Sequence, residues 1–239
     1  YDVQVDDKKL VEMNIHDAKK LGATIIEDRR VIKASRIDEG WKIILDNNEI
    51  IKSKILINAA GPWINEVVNN VIKINANKSI RLVRGSHIII NKLYEEEVAF
   101  TLQNEDNRII FVIPYKKKYS LIGTTEVDVR TADNPSISVE EKIYLIKTIN
   151  DHFVKQISIE DIVETYSGIR PLIEDYNETS KVTREYVFDL NLQSKKSPLL
   201  NIYGGKLTTY RKLSEKVLEE LNPYLPIKNT KNWTHSKIL

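Results

Sequence analysis

Cysteine is absent from the 239 residues. That excludes disulfides, thiolate metal sites and a cysteine nucleophile, and it fits a reducing compartment. Glycine is scarce: the 8 residues present are about half the ~7% of ordinary proteins. No G-x-G-x-x-G occurs, so the usual dinucleotide phosphate loop is missing. No apolar run approaches the roughly 18 residues of a membrane span. The four histidines, His16, His87, His152 and His235, include no pair at ligand spacing. A structural zinc is therefore not expected, and no metal is assigned. Lys plus Arg (36) nearly cancel Asp plus Glu (34), leaving +2. That is no field to hold nucleic acid. The first residue is Tyr1, no signal peptide is visible, and the sequence reads as a cut-out or processed piece.

What is present suffices for a core. Apolar residues make up 41%, and the length suits one large domain or two small ones. The most informative stretch runs from Leu199 to Arg211. A short apolar strand breaks at Gly204-Gly205, Lys206 and Leu207 follow, and a helix is expected from Thr208 to about Leu221. Strand, tight turn and helix N-terminus present backbone N–H groups to a negative ligand. Two residues without Cβ let the backbone approach it closely. Lys206 adds a cation at the same mouth, and Thr208 suits the N-cap. An ordinary turn that needs glycine only for positive φ stands as the alternative.

Earlier in the chain, a helix capped by Asp6 or Asp7 is expected to run to Leu21, stopped by Gly22. Ala23–Glu27 reads as a strand, expected with the preceding helix to extend an α/β sheet whose other strands lie outside this chain. Val31–Ile37, Trp41–Leu45 and Ile50–Asn58 read as an antiparallel meander. The last of these ends in Asn58-Ala59-Ala60-Gly61-Pro62-Trp63, a strand-to-helix turn of small residues where a ligand or another element packs on the backbone. Pro62 suits the first helical turn. Arg81–Ile90 is a strand with His87 inside an apolar run, a position that a core histidine also fills. Ile109–Pro114 and Tyr119–Gly123 form a hairpin with a lysine tip. Ser138 and Glu141 form a capping box for a helix to about Gln156. Ile162–Ile173 reads as a strand interrupted at Ser167–Leu172. Arg170, between Gly and Pro, needs an anionic partner if buried, and a structural salt bridge would also satisfy it. Residues 174–181 read as a polar loop, Val182–Leu192 as a strand, and the chain from Leu225 as an extended tail.

Seven stretches occur in the order found in one family: Asn58–Trp63, Arg84–His87, Leu102–Asp106, Phe111–Pro114, Ile122–Glu126, Tyr166–Leu172 and Gly204–Arg211. Together they resemble FAD-dependent, respiratory glycerol-3-phosphate dehydrogenase across essentially the whole chain. The resemblance implies an α/β (α+β) fold: part of a Rossmann-like FAD-binding domain of the glutathione-reductase/D-amino-acid-oxidase type, plus an antiparallel-sheet substrate domain. It divides the chain into a partial FAD-binding domain (1–79), a mainly antiparallel substrate domain (80–190), a return to the FAD-binding domain (191–224) and a tail (225–239) leading to a cap. Against that family, the chain reads as a central piece lacking the N-terminal G-x-G-x-x-G unit and the C-terminal cap.

The implied reaction oxidises sn-glycerol 3-phosphate to dihydroxyacetone phosphate, with hydride to FAD and electrons to quinone. The resemblance gives His87 the role of base, and an imidazole suits proton abstraction near neutrality. It gives Arg170 the substrate phosphate, with Lys206 and Thr209 also at the substrate. Val31, Ala60, Gly61, Gly168, Gly204, Gly205, Lys206, Leu207 and Thr208 are the implied cofactor contacts. It further implies a peripheral protein on the cytoplasmic face of the bacterial inner membrane, a membrane-surface partner, no nucleic acid, and allows a homodimer. Two other readings stand beside it. One is an inactive stand-alone remnant of a split or decaying gene that cannot bind FAD. The other is a different FAD-dependent amine or hydroxy-acid oxidase, against which the two cations Arg170 and Lys206 argue.

Overall fold

The computed structural model describes residues 5–173, 186–192, 197–226 and 233–236. In chain order the elements are α1 (Asp7–Lys20), β1 (Val31–Ile37), β2 (Gly40–Leu45), β3 (Ile50–Ser53), β4 (Leu56–Asn58), α2 (Ile64–Glu66), β5 (Ile80–Asn91), β6 (Phe100–Gln103), β7 (Ile109–Tyr115), β8 (Tyr119–Gly123), β9 (Val127–Val129), α3 (Val139–His152), β10 (Ile162–Ile173), β11 (Tyr186–Asn191), β12 (Leu199–Gly204) and α4 (Tyr210–Leu221). The chain divides into two compact units, Tyr1–Lys78 with Ser180–Leu239, and Ser79–Thr179.

The first unit holds two three-stranded sheets, β1-β2-β3 and β11-β12-β4. The meander is antiparallel throughout. The expected strand Ile50–Asn58 is in fact two. Its first half pairs with β2, whereas its second pairs in parallel with β12, Leu56 opposite Leu199 and Asn58 opposite Asn201. A single strand cannot serve two sheets of different direction, so the chain turns at Lys54. Trp41 joins the two sheets: it is buried with Leu199, and its indole N–H donates to the Pro198 carbonyl at 3.0 Å. On the other side of β12, Leu200 and Ile202 pack on Val217 and Leu221 of α4.

Three further expectations in this unit are corrected. Ala23–Glu27 forms no strand, because no neighbouring strand among the described residues supplies a ladder. Thr208 is not the N-cap: α4 opens at Tyr210 after a 3₁₀ turn over Leu207–Thr209, and the capping position, Thr209, makes no side-chain capping bond. The tail is not simply extended. Thr234, in a short 3₁₀ turn, donates its hydroxyl to Glu215 of α4 and accepts from Arg211 at 3.2 Å. Helix α1 forms as expected, with Asp6 accepting from the Lys9 N–H at 3.0 Å. The helix after Pro62 begins as 3₁₀ and ends as a π-turn over Val67–Ile72. The loop 174–181 and the start of the strand expected from Val182 lie outside the described residues.

The second unit is one antiparallel sheet in the order β10-β5-β8-β7-β6, with β9 also pairing β5. Strands β8 and β9 follow one another along the same edge of β5: β8 pairs with His87–Asn91 and β9 with Leu82–Arg84. The Thr124–Glu126 segment therefore lies opposite Gly85 and Ser86. Side chains alternate across a sheet. Ile88, Ile90, Ile110, Val112 and Ile122 form the core with Leu145 and Ile149 of α3. His87 and its cross-strand partners consequently stand on the face opposite α3. Strand β10 runs without interruption through Pro171, contrary to expectation. It is an edge strand, and there a proline nitrogen that points away from the ladder removes no bond. Strands β6 and β9 carried no clear sequence signal. The motif around Asn104 docks the β6–β7 tip on α3, where Asn104 donates to the Tyr144 and Thr148 hydroxyls at 2.7 and 2.8 Å.

Leu145 is fully buried against this sheet. Leu145→Ala is expected to cost about 2–5 kcal/mol of unfolding free energy. Val163→Ala, on the exposed edge strand, is expected to change it by less than about 0.5 kcal/mol. Urea unfolding followed by circular dichroism measures both; equal losses would contradict the core placement.

Candidate active site

In the second unit, β5 and β10 are paired so that His87 faces Tyr166, Gly85 faces Gly168, and Val83 faces Arg170. All of these lie on the sheet face away from α3. Two glycines clear that face. A Cβ on Gly123, which is paired with His87, would overlap the imidazole ring. A Cβ on Gly85 would lie 2.5 Å from Thr124 Oγ1 and 2.7 Å from Arg170 Nη2. The Arg170 side chain thus starts on edge strand β10, crosses β5 over Gly85, and ends on the β8–β9 segment. There Nη1 donates to Glu126 Oε1 at 3.2 Å, and Nη2 donates to the Thr125 carbonyl at 3.2 Å and to Thr124 Oγ1 at 3.5 Å. About a third of the side chain stays exposed. By contrast, a Cβ on Gly168 would find only ordinary contact, at 3.7 Å from the Tyr166 hydroxyl.

His87 is partly buried, and its Nδ1 is enclosed without a hydrogen-bond partner among the described residues. Tyr166 lies beside it, ring centroids 5.9 Å apart. Burial, then the nearby Arg170 cation, push the imidazole down from 6.5 to about 4. It is therefore the neutral, proton-accepting form at pH 7.

Beneath this face lies a polar cluster. Glu141 of α3 accepts from the Thr125 hydroxyl at 2.5 Å, the Ser138 N–H at 2.8 Å and Arg84 at 2.6 Å. Burial opposes the Glu141 charge, but these bonds and one from Ser86 hold its carboxyl below the usual range. Sequence reasoning read Glu141 as a cap alone and gave Thr125 and Glu126 no role. Their partners are distant in the chain, so the stretch Ile122–Glu126 and the cap at Ser138 mark these residues without revealing their contacts.

The first unit carries the other expected residues. Parallel pairing of β4 and β12 brings their C-terminal ends side by side, where ligands of open α/β sheets bind. Ala60 and Gly61 follow one end; Gly204, Gly205 and Lys206 follow the other. Gly61, Gly204 and Gly205 have φ of 54°, 72° and 103°, left-handed values that suit glycine. Asn58 braces the two ends, donating to Asn201 Oδ1 at 3.1 Å and to the Ile64 carbonyl at 3.2 Å. Lys206, Leu207 and Thr208 are exposed. The Thr209 hydroxyl donates to the Lys206 carbonyl at 3.0 Å, closing the turn. Val31 stands at the exposed start of β1, in the meander sheet, apart from these loops.

Residues 1–211 match the family model described as FAD dependent oxidoreductase. The chain is 41% identical over 229 residues to glycerol-3-phosphate dehydrogenase of Pseudomonas aeruginosa, covering 93% of this chain and 45% of that protein. It is 37% identical over 241 residues to D-erythritol 1-phosphate dehydrogenase of Brucella abortus, covering 98% of this chain and 48% of that one. The chain thus spans about half the length of the curated relatives it matches. A structure of glycerol-3-phosphate dehydrogenase from Bacillus halodurans complexed with FAD superposes with a TM-score of 0.81 at 24% identity, over 95% of this chain and 45% of that one. That likeness carries the fold: a mixed helix and sheet protein with antiparallel sheets.

His87 is expected to titrate by NMR at about 4, and Arg170→Met to raise that midpoint while leaving it below 6.5, since burial remains. The folded-state value lies below the unfolded one, so the unfolded chain takes the proton first as pH falls. The contribution of the neutral imidazole is complete above about 6.5 and lost between about 6.5 and about 4. His87→Gln should therefore lose less stability than the parent across that window. A His87 midpoint of 6.5 or above would contradict the enclosed, cation-flanked setting.

Proposed function

Because the chain belongs to the FAD-dependent oxidoreductase family, we propose that it carries the base and the phosphate clamp of an enzyme that oxidises a polyol phosphate, with sn-glycerol 3-phosphate as the preferred substrate. The observation that carries this reading is the placing of a neutral imidazole and an arginine fork on one glycine-cleared sheet face. Arginine's planar donors match phosphate oxygens, and an unprotonated imidazole can take a hydroxyl proton. The substrates named for both matched relatives are polyol phosphates, which supports a site that needs a cation and a base together.

The residues also fit the flavin. Gly85 and Gly123 clear the sheet face that bears His87, and the enclosed Nδ1 of His87 has no hydrogen-bond partner among the described residues. In the first unit, the loops 59–62 and 204–207 stand at parallel strand ends with backbone shapes that suit close approach. Ala60, Gly61, Gly204, Gly205, Leu207 and Thr208 would hold the cofactor there, with Lys206 beside it. Val31 and Gly168 are carried into this role by the resemblance alone. FAD, when bound, accepts the hydride from C2 of the substrate.

The chain's own chemistry is binding and proton transfer. Arg170 receives the phosphate dianion; Lys206 and Thr209 are carried into substrate contact by the resemblance alone. The phosphate charge offsets the Arg170 cation, which removes the second cause of the low His87 value and makes the imidazole a stronger base. His87 then takes the C2 hydroxyl proton as the C–H bond gives up its hydride, leaving the ketone dihydroxyacetone phosphate. In the same reading, 1–79 and 191–224 serve the cofactor and 80–190 the substrate. Electrons pass to quinone at the cytoplasmic face of a membrane, to which the enzyme is peripherally attached, and a homodimer is compatible with this. Among the described residues no helix is long and apolar enough to cross a membrane.

The test is kinetic, on the flavin-loaded full-length protein. Arg170→Ala is expected to raise KM for sn-glycerol 3-phosphate roughly 10- to 100-fold, the worth of charge-assisted hydrogen bonds, with FAD content unchanged. His87→Ala should lower kcat more than it alters KM. Unchanged KM in the first variant would remove Arg170 from the phosphate. The absorbance of the 239-residue chain after incubation with FAD and desalting separates the remnant reading: a retained flavin spectrum counts against it.

A further inference from the structure

Glu141 lies on the side of the sheet opposite His87 and Arg170, yet its bonds lead to both. One carboxylate oxygen, Oε2, takes the Ser138 N–H, which completes the helix cap. Capping alone does not call for burial: another capping box, Ser158 with Asp161, lies at the surface. Oε1 of Glu141 is instead spent on the Thr125 hydroxyl at 2.5 Å.

Thr125 is the point where the two faces meet, and it is 1% exposed. Its hydroxyl donates toward α3 and accepts the Ser86 N–H at 3.0 Å. Its own N–H donates to the Ser86 carbonyl at 3.2 Å. Its carbonyl accepts from Arg170 on the opposite face, at 3.2 Å. Every polar group of this residue is thus engaged, with α3, with the strand that bears His87, or with the arginine. A largely buried ion pair such as Glu141 with the half-buried Arg84 seldom adds net stability, whereas it can fix one geometry among several.

We propose that Glu141 and Thr125 are positioning residues that hold Arg170 in place from the opposite face of the sheet. The proposal rests on the reading of Arg170 as the phosphate clamp. Glu141 fixes the side chain of Thr125, and Thr125 in turn fixes the direction of the carbonyl against which the guanidinium is set. Glu126, one residue on, supplies the second anchor. Removing the hydroxyl frees the 124–126 segment and lets the fork drift from its line over Gly85, although Arg170 itself is untouched.

Thr125→Val, Thr125→Ser and Glu141→Gln are compared in the flavin-loaded full-length protein, with Arg170→Ala as reference. Thr125→Val keeps the shape and loses the hydroxyl, and it is expected to raise KM for sn-glycerol 3-phosphate about tenfold with kcat changed far less, since small misplacements of a binding group are costly. Thr125→Ser restores the hydroxyl and should bring KM back to within about threefold of the parent. In the same Thr125→Val protein the NMR titration midpoint of His87 should rise, because the arginine no longer stands beside it. Equal KM values for the parent and the valine variant overturn the proposal. So does a serine variant as impaired as the valine one, which would point to packing alone. If Thr125→Val does not fold, Glu141→Gln decides by the same two readouts: a lower melting temperature with an unaltered KM and an unaltered His87 midpoint overturns it. If Arg170→Ala itself leaves KM unchanged, the clamp reading has failed; if only Arg170→Ala raises KM, this inference alone has failed.

Discussion

The side chain of Arg170 begins on one edge of a sheet and is anchored two strands away, and it makes that crossing over a residue with no Cβ. Much else in the second unit follows from this. The arginine needs acceptors at the far end, and the Thr124–Glu126 segment supplies them where β8 gives way to β9. His87 needs room at the same level, and Gly123 supplies it. Burial of the imidazole, and then the Arg170 cation beside it, keep it neutral. The arrangement is costly for an isolated fold, because it leaves charge, and a nitrogen with no hydrogen-bond partner among the described residues, on a sheet face that could have been apolar. Such costs are characteristic of sites rather than of cores.

The two faces of this sheet divide the work. The face on α3 is a packed aliphatic core, and it fixes strand register, since a slip of one residue would exchange the core for the polar face. The opposite face is thereby free to carry chemistry at exact positions. Ser86, Arg84 and Glu141 are polar groups on the core side, and they cluster where the strands bearing His87 and Arg170 need support.

In the first unit the same logic works through strand direction. The parallel pair β4–β12 sets two glycine-containing loops at one sheet end, and Asn58 and Asn201 brace them across 143 residues of chain. Open α/β sheets bind their ligands at such strand ends. The chain supplies loops of the right backbone shape there and has no G-x-G-x-x-G of its own.

The sequence by itself determined the elements whose causes are local. The caps at Asp6 and Ser138, the Gly22 stop, the meander turns and the glycine break at Gly204-Gly205 were all legible, because each depends on residues within one turn of chain. It also singled out His87, Arg170 and Lys206 through ordered motifs. Only the tertiary structure decided what those residues meet. It split Ile50–Asn58 between two sheets, since partner direction lies outside the segment. It withheld a ladder from Ala23–Glu27 and carried β10 through Pro171, since an edge tolerates what a centre does not. It gave Glu141, read as a cap, a second role through partners up to 57 residues away. Hydrogen bonds and steric clearance act across space, and their partners are set by strand register, which no local pattern contains.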